Sequence, residues 1–249
     1  MKICILTSCI LPNTDVAVSA LTPERRLSDL LLNVGFLHSL GLFDLLLIAD
    51  PSMSNHSGAA ADLRNTLHDS LTCLESREPS TELRVIFPRF SEHENDTIKL
   101  RGKGYSELLI LQAAIKCLEE SLDPADIIFK LSGRYRIQNM NKLVRQMLRG
   151  HLGGAAFCCE VNRISARLNT VFYSFIPSLT EKICGLRDLV DDSRGVYVES
   201  IFYREIYLRS CILSSRVGPL LYSYELSSGS KALTYRLRAQ FLRMIASFI

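Results

Sequence analysis

The sequence predicts an α/β fold in which a mostly parallel, Rossmann-like central sheet is flanked by helices. Two observations support this prediction. Short apolar runs alternate with segments of helical periodicity through roughly the first 135 residues, an order typical of parallel sheets covered by helices. The chain also has 249 residues, of which 47% are hydrophobic and 22% charged, which is enough to bury a substantial core.

Four apolar runs in this first part are predicted as strands, and three segments between them as helices. The strands are residues 3–6, 43–49, 83–87 and 127–131, and the helices are residues 23–40, 62–74 and 106–121. The first helix has the clearest ends, because Thr22 suits the N-cap, Pro23 the first helical position and Gly41 the end. The polar residues 89–101 are predicted as a loop, either a mobile one that faces a substrate or an ordinary surface loop.

The second part of the chain continues the mixed pattern. Helices are predicted at residues 141–149, 177–190 and 199–208, and strands at residues 155–161 and 168–175. No flexible linker divides the sequence, so residues 1–249 are predicted to form a single domain.

Charge and cysteine content narrow the classes of partner. The net charge of +3 is too small to indicate a nucleic-acid partner. The eight cysteines show neither Cys-x-x-Cys nor zinc-ligand spacing, which favours reduced thiols in a cytoplasmic protein. No apolar run reaches the length of a membrane span, about 18 residues, and residues 1–9 are predicted as the first strand rather than a signal peptide.

Residues 226–249 are predicted as a basic amphipathic helix, since four cations and no acid alternate with apolar side chains. Two interpretations stay open. The helix either packs on the core with its cations outward, or lies on an anionic membrane surface.

The fourth predicted strand leads into a cationic turn that contains a glycine. Ser132 and Gly133 are expected to leave backbone N–H groups available, and Lys130, Arg134 and Arg136 place positive charge around them. This arrangement suits a phosphate group. A basic solvated loop is the alternative interpretation.

Two further features of the sequence could contribute to a ligand site. The turn Gly102-Lys103-Gly104 precedes a helix whose first N–H groups could bind an anion. Asp50 follows the second strand, at the sheet edge where ligands of α/β proteins collect, and either contacts a nucleobase or ribose or caps the next segment.

The spacing of the glycines matches neither a P-loop nor a dinucleotide-binding fingerprint, and Gly-x-Ser-x-Gly is absent. These observations disfavour an ATPase, a dehydrogenase and a serine hydrolase.

These pieces resemble landmarks of bacterial glycosyltransferases that build surface polysaccharides. The matching segments are Leu6-Thr7-Ser8-Cys9, Lys103-Gly104-Tyr105-Ser106-Glu107, Phe129-Lys130-Leu131-Ser132-Gly133-Arg134-Tyr135, Tyr197-Val198-Glu199-Ser200-Ile201-Phe202-Tyr203 and Ser227-Ser228-Gly229-Ser230. The resemblance implies the GT-A fold, with residues 1–140 as the nucleotide-sugar-binding half and residues 141–249 on the acceptor side. It also implies transfer of a sugar from a nucleotide-sugar donor to a glycan or lipid-linked glycan of capsule, O-antigen or a related polymer. Such a protein would be cytoplasmic, with peripheral contact to the inner membrane as an alternative.

The resemblance assigns a set of residues to the donor site, to which Asp50 is added because of its place at the sheet edge. They are Thr7, Ser8, Asp50, Lys103, Gly104, Tyr105, Lys130, Ser132, Gly133, Arg134, Tyr135, Ser228, Gly229 and Ser230. Many GT-A enzymes hold a metal with Asp-x-Asp at the end of a central strand, but here that strand ends in Lys130-Leu131-Ser132. We therefore expect no metal or other cofactor, with Lys130, Arg134 and the turn backbone stabilising the leaving group, and a Mn²⁺ or Mg²⁺ enzyme as the alternative.

Glu107 and Glu199 are the candidates for the base that deprotonates the acceptor hydroxyl. Each is also expected near the start of a helix, where an acidic side chain commonly serves only to stabilise the helix end. Asp191 and Asp192 are predicted to lie in a loop rather than to bind a metal. The second hypothesis for function is a non-catalytic protein on the same fold that binds nucleotide sugars or glycans, or acts as a scaffold.

Overall fold

The computed structural model describes residues 1–11, 22–54, 58–76, 81–163, 165–208 and 214–221. These residues form a mixed α/β structure around one seven-stranded sheet. The strands are β1 (Lys2–Thr7), β2 (Leu45–Ala49), β3 (Glu82–Ile86), β4 (Ile127–Ser132), β5 (Phe157–Asn162), β6 (Arg167–Phe175) and β7 (Ser214–Arg216).

The strands follow the order β3-β2-β1-β4-β6-β5-β7 across the sheet. The β1–β2, β1–β4, β2–β3 and β5–β7 pairs are parallel, whereas β6 runs antiparallel to both β4 and β5. The prediction of a mostly parallel, Rossmann-like sheet flanked by helices is confirmed.

Seven α-helices occur in the described residues. They are α1 (Pro23–Leu40), α2 (Ala59–Glu75), α3 (Glu92–Arg101), α4 (Lys103–Leu118), α5 (Met140–Leu152), α6 (Thr180–Gly185) and α7 (Val198–Phe202). A π-helical turn, Tyr203–Leu208, continues α7. None of these helices is long and apolar enough to cross a membrane. The predicted C-terminal amphipathic helix lies outside the described residues.

Helix α1 has the predicted ends. The Thr22 hydroxyl accepts a hydrogen bond from the Arg25 N–H, Pro23 opens the helix, and Gly41 closes it in the left-handed conformation. All three signals are local in sequence, which explains why the sequence alone predicts both ends of the helix.

The prediction of a loop at residues 89–101 is wrong, because most of this segment forms α3. No residue of α3 is buried, so it lacks the apolar periodicity by which a helix is normally recognised. A reciprocal capping box starts it instead: the Ser91 hydroxyl accepts from the Glu94 N–H, and the Glu94 carboxylate accepts from the Ser91 N–H.

The sheet separates two apolar layers. Alternate residues of β4 supply both of them: Phe129 and Leu131 pack with α1, α2 and α5, and Ile128 packs with α4, α6 and α7. Since side chains alternate along a strand, Lys130 and Ser132 lie on the same face as Ile128, toward α4 and α7. This alternation places two polar side chains beneath the carboxyl edge of the sheet.

Candidate functional site

The carboxyl ends of β1, β2 and β4 meet at one edge of the sheet. Thr7 is in register with both Ala49 and Ser132. The Ser8 N–H donates to the Ala49 carbonyl at 3.0 Å, and the Gly133 N–H donates to the Thr7 carbonyl at 2.9 Å. The fold therefore brings the segments after these three strands together, at the edge where ligands of open α/β sheets bind.

Asp50 is completely buried at this edge and organises the loop after β1. Its carboxylate accepts hydrogen bonds from the Ile10 N–H and the Ser52 N–H, both at 2.9 Å, and from the Ser52 hydroxyl. Burial raises the pKa of Asp50 from its ordinary value, and the hydrogen bonds from Ser52, Ser8 and Ile10 oppose that shift. Asp50 thus caps the next segment, one of the two roles considered for it.

Lys130 lies within β4, as the predicted strand over residues 127–131 implies, and its side chain is only 1% exposed. Its ammonium group forms an ion pair with the Glu107 carboxylate and donates to the Ser132 hydroxyl at 3.0 Å and to the Thr170 carbonyl at 2.8 Å. The Ser132 hydroxyl in turn donates to Glu107 Oε1 at 2.7 Å. All three ammonium protons therefore have acceptors within the protein.

The two charges shift each other's protonation equilibria. Burial by itself raises the pKa of Glu107, but the charges of Lys130 and Lys103 and the hydrogen bonds from Lys130 and Ser132 outweigh it, so the pKa is lowered. Burial lowers the pKa of Lys130, and the Glu107 charge opposes this. A carboxylate held in this way is a poor proton acceptor.

Two backbone sites that were expected to be open to an anion already have partners. The Gly133 N–H donates to Thr7, as described above. At the start of α4, Asp192 Oδ2 accepts from the Gly104 N–H at 2.8 Å, so the chain's own carboxylate caps this helix. The expectation that these two N–H groups are free for phosphate is wrong.

A polar stripe on α1 holds the loops after β1 and β4. Arg26 Nη1 donates to the Cys9 carbonyl at 2.9 Å. Asn33 Nδ2 donates to the carbonyls of Gly133 at 2.8 Å and Tyr135 at 3.3 Å. Asp29, only 1% exposed, lies between them on the same helical face. The stripe fixes the backbone on either side of Arg134.

Sequence reasoning missed this stripe. Its signal was present as polar residues spaced three and four apart among the apolar residues of the buried helical face. Such side chains remain buried only where hydrogen-bonding partners exist, and their partners come from loops that are distant in sequence.

The remaining predicted residues occupy different positions around this edge. Arg134 is partly exposed, makes no hydrogen bond or ion pair with a described residue, and acts electrostatically on Arg26 and Asp29. Glu199, partly exposed in the first turn of α7, acts on Lys130 in the same way.

Lys103 is exposed in the first turn of α4 and Tyr105 is buried, with its ring 5.6 Å from the Arg101 guanidinium. Tyr135 is partly buried. Ser228, Gly229 and Ser230 lie outside the described residues. Within the described ranges, no three His, Cys, Asp or Glu side chains are grouped in a way that could hold a metal ion.

Comparison with known proteins identifies the fold. No family model matches the chain, and no curated protein does. A UDP-glucose pyrophosphorylase complexed with UDP-glucose matches 98% of this chain and 99% of its own, with a TM-score of 0.50 and 10% identity. Mouse xyloside xylosyltransferase 1 matches 87% and 84%, with a TM-score of 0.46 and 11% identity. A CTP:phosphocholine cytidylyltransferase from Streptococcus pneumoniae matches 97% and 98%, with a TM-score of 0.38 and 12% identity.

Identities this low speak to the fold alone. Together with the strand order, the first match shows that the chain has a GT-A-like, Rossmann-like fold.

Proposed function

We propose that this protein is a glycosyltransferase that moves a sugar from a nucleotide-sugar donor to the hydroxyl of a glycan or lipid-linked glycan. The observation that carries the proposal is Arg134, a guanidinium without an ion-pair partner in the described residues, held at the carboxyl edge of β1, β2 and β4 by hydrogen bonds to its two neighbours. The GT-A-like fold supports it. Surface-polysaccharide synthesis, at the cytoplasmic face of the inner membrane, rests on the sequence resemblance.

The chemistry needs a group that neutralises the departing phosphate. As the bond between the anomeric carbon and the donor phosphate breaks, its electron pair leaves with the nucleotide, and fixed cations stabilise that charge. Arg134 is suited to this role because a guanidinium can donate two parallel hydrogen bonds to a phosphate. The Thr7 and Ser8 segment, with Lys103 and Tyr135, completes the proposed donor site.

Glu199 is the better candidate for the base. Glu107 already accepts hydrogen bonds from Lys130 and Ser132, which stabilise its charged form and weaken it as a proton acceptor. Glu199 is partly exposed in the first turn of α7, which packs on the same side of the sheet as α4, the helix of Glu107. In the proposed step its carboxylate takes the proton of the acceptor hydroxyl while that oxygen forms the new bond to the anomeric carbon.

Glu107, Lys130 and Ser132 then act as a positioning cluster beneath the reacting groups. Their mutual hydrogen bonds fix the end of β4, from which the Arg134 turn emerges. Because a lysine and a serine stand where many GT-A enzymes carry a metal-binding carboxylate pair, we propose that the reaction proceeds without a metal at this position. Mn²⁺ or Mg²⁺ dependence is the alternative that the experiment below decides.

A thermal-shift panel tests the proposal. UDP, GDP, CMP, ADP and dTDP are each added with Mn²⁺ or with EDTA, because a ligand that binds only the folded state raises Tm. We expect one nucleotide to raise Tm in EDTA and the increase to disappear in Arg134→Gln. Arg84→Gln, an exposed substitution on the edge strand β3, is the matched control.

Turnover assays distinguish a glycosyltransferase from a nucleotidyltransferase and from a non-catalytic binding protein. Incubation of the selected nucleotide sugar with glycan acceptors should release the nucleotide and yield a lengthened glycan. Release of pyrophosphate from a nucleoside triphosphate and a sugar phosphate would instead indicate a nucleotidyltransferase. Nucleotide or glycan binding without either product would support the non-catalytic binding protein, and a Tm increase that requires Mn²⁺ would refute the metal-independent step.

A further inference from the structure

The β5–β6 hairpin extends past the carboxyl edge of β4. Leu131, near the end of β4, is in register with Phe172 of β6, and β6 begins five residues earlier, at Arg167. Because β4 ends one residue after Leu131, at Ser132, four residues of β6 extend past it, which at about 3.3 Å per residue amounts to roughly 13 Å. The hairpin tip therefore reaches beyond the proposed reaction site on its acceptor side.

Two exposed arginines of this hairpin contact tyrosines at opposite ends of the α7 segment. The Arg167 guanidinium lies 5.3 Å from the centre of the Tyr197 ring, just before α7. Arg163 Nη2 donates to the Tyr207 hydroxyl at 3.0 Å, in the π-helical turn that follows α7. The Tyr203 and Tyr207 rings stack, with centroids 5.4 Å apart.

We name these five residues, Arg163, Arg167, Tyr197, Tyr203 and Tyr207, the hairpin surface. Neither arginine forms an ion pair with a described residue, and nearby acids have other partners: Glu160 accepts from Asn169 at 2.7 Å, and Glu205 pairs with Arg204. The surface thus combines aromatic rings, of which Tyr197 is 41% exposed, with two arginines that form no ion pair within the described part of the chain.

This combination selects a chemical class of ligand. The C–H faces of a sugar ring pack on an aromatic face, which offers apolar area with a polar rim. A guanidinium offers a planar pair of donors that matches a carboxylate or a phosphate. A neutral glycan would use the tyrosines but would offer neither arginine an anionic partner.

The hairpin surface is continuous with the proposed base. Tyr197 precedes Glu199 by two residues, and Thr170, whose carbonyl accepts from the Lys130 ammonium, lies three residues after Arg167 on β6. A glycan with its terminal hydroxyl at Glu199 would therefore extend over Tyr197 toward the arginines.

We infer that the hairpin surface binds an acceptor glycan whose sugars carry carboxylate or phosphate groups. This inference rests on the proposed function and specifies the acceptor that it takes. Carboxylate and phosphate share the recognition chemistry, and the experiment distinguishes these two sources of charge.

Calorimetric titration of the whole chain provides the test. The probes are tetragalacturonate, its neutral methyl ester, mannose 6-phosphate and mannose. We expect at least one anionic probe to bind about tenfold more tightly than its neutral counterpart, because charge-assisted hydrogen bonds are lost with the charge. Tighter binding of the uronate identifies carboxylate as the feature recognised, and tighter binding of the sugar phosphate identifies phosphate.

The variant Arg163→Gln/Arg167→Gln should lose this preference for the anion while keeping the nucleotide-induced increase in Tm. Arg84→Gln/Lys99→Gln removes the same charge from exposed positions on β3 and α3 and should bind like the wild type. Tyr197→Ala should weaken binding of both the acid and the ester. Equal affinity for acid and ester, unchanged binding in the hairpin variant, or no binding of any anionic probe would overturn the inference. Failure to bind a nucleotide while the anionic probe still binds would refute only the proposed function.

Discussion

The Lys130 ammonium and the Glu107 carboxylate form an ion pair that joins the central strand β4 to helix α4 beneath the proposed donor site. Lys130 is 1% exposed and the Glu107 side chain 15%. The pair is therefore largely removed from water, where attraction between charges is strong but each charge alone is costly. Its main consequence for the protein is that neither partner can be removed singly without a large effect.

We predict that Lys130→Met destabilises the protein by about 3–5 kcal/mol, because the Glu107 carboxylate is left buried without its counter-charge. The double variant Lys130→Met/Glu107→Leu should recover most of that loss, since no buried charge remains. Urea unfolding curves measure both free energies.

Lys116→Met, at an exposed position of the same helix, is the control and should change stability by less than about 0.5 kcal/mol. A single Lys130→Met variant as stable as the wild type would show that Glu107 is not buried as an ion. Because Lys130 has this structural role, Arg134 and not Lys130 is the residue whose replacement tests function with the fold intact.

The same pair shows what sequence reasoning could and could not predict. The ends of α1 were predictable because Thr22, Pro23 and Gly41 act within one turn of the helix. The ion pair of Lys130 was not, because its partner Glu107 lies 23 residues earlier and only the packing of α4 on the sheet brings the two together. The predicted strand over residues 127–131 already contained Lys130, but its burial with every donor satisfied follows only from the fold.

In the candidate site, too, the alignment of strand ends was predictable and the contacts between distant segments were not. Thr7, Ser8 and Ser132 lie at one edge because parallel strands align their carboxyl ends, as a predicted parallel sheet implies. Whether an N–H group at that edge is free depends on contacts across the fold, such as Asp192 with Gly104. Such contacts join segments far apart in the chain, so turn composition does not predict them.

Because of the environment of His151, we predict that the protein loses stability in mild acid. Its Nδ1 bonds the Ala155 carbonyl at 2.7 Å, and its Nε2 bonds the buried Ser174 hydroxyl at 2.9 Å. The first nitrogen must therefore donate, and a neutral ring accepts the serine proton at the second. Burial lowers the pKa of His151 from its ordinary value of 6.5, and the bond to Ala155 opposes that shift.

Because the folded pKa is below the unfolded one, the unfolded chain takes up this proton first as the pH falls. The contribution of His151 is fully present above pH 6.5 and is lost below it, so we expect the free energy of unfolding to decrease from there toward the folded pKa. Urea unfolding between about pH 7 and pH 5 measures the slope. His151→Gln should reduce the slope, and His93→Gln, at an exposed position of α3, is the matched control. An unchanged slope in His151→Gln would show that another group titrates.

Gly133 is required by close packing at the start of the Arg134 turn. A Cβ atom there would lie 2.8 Å from Leu30 Cδ1 and 3.3 Å from the Thr7 carbonyl oxygen. The first contact is with the end of a side chain and the second with backbone that pairs β1 to β4. We therefore predict that Gly133→Ala costs about 1–3 kcal/mol of stability, a range typical of overpacking.

The loss should couple to Leu30, because shortening that side chain relieves the nearer contact. In a double-mutant cycle, Gly133→Ala/Leu30→Val should cost at least about 0.5 kcal/mol less than the sum of the single variants. Gly185→Ala is the control, since no atom lies within 4 Å of its added methyl group.

Additive costs would mean that the contact with the Thr7 carbonyl, and not the contact with Leu30, causes the loss of stability. In that case the backbone itself must move, Arg134 moves with it, and the nucleotide-induced increase in Tm should fall even in the double variant. If the costs are coupled instead, relief of the contact with Leu30 lets the Arg134 turn return to its place. The double variant should then show the nucleotide-induced increase in Tm.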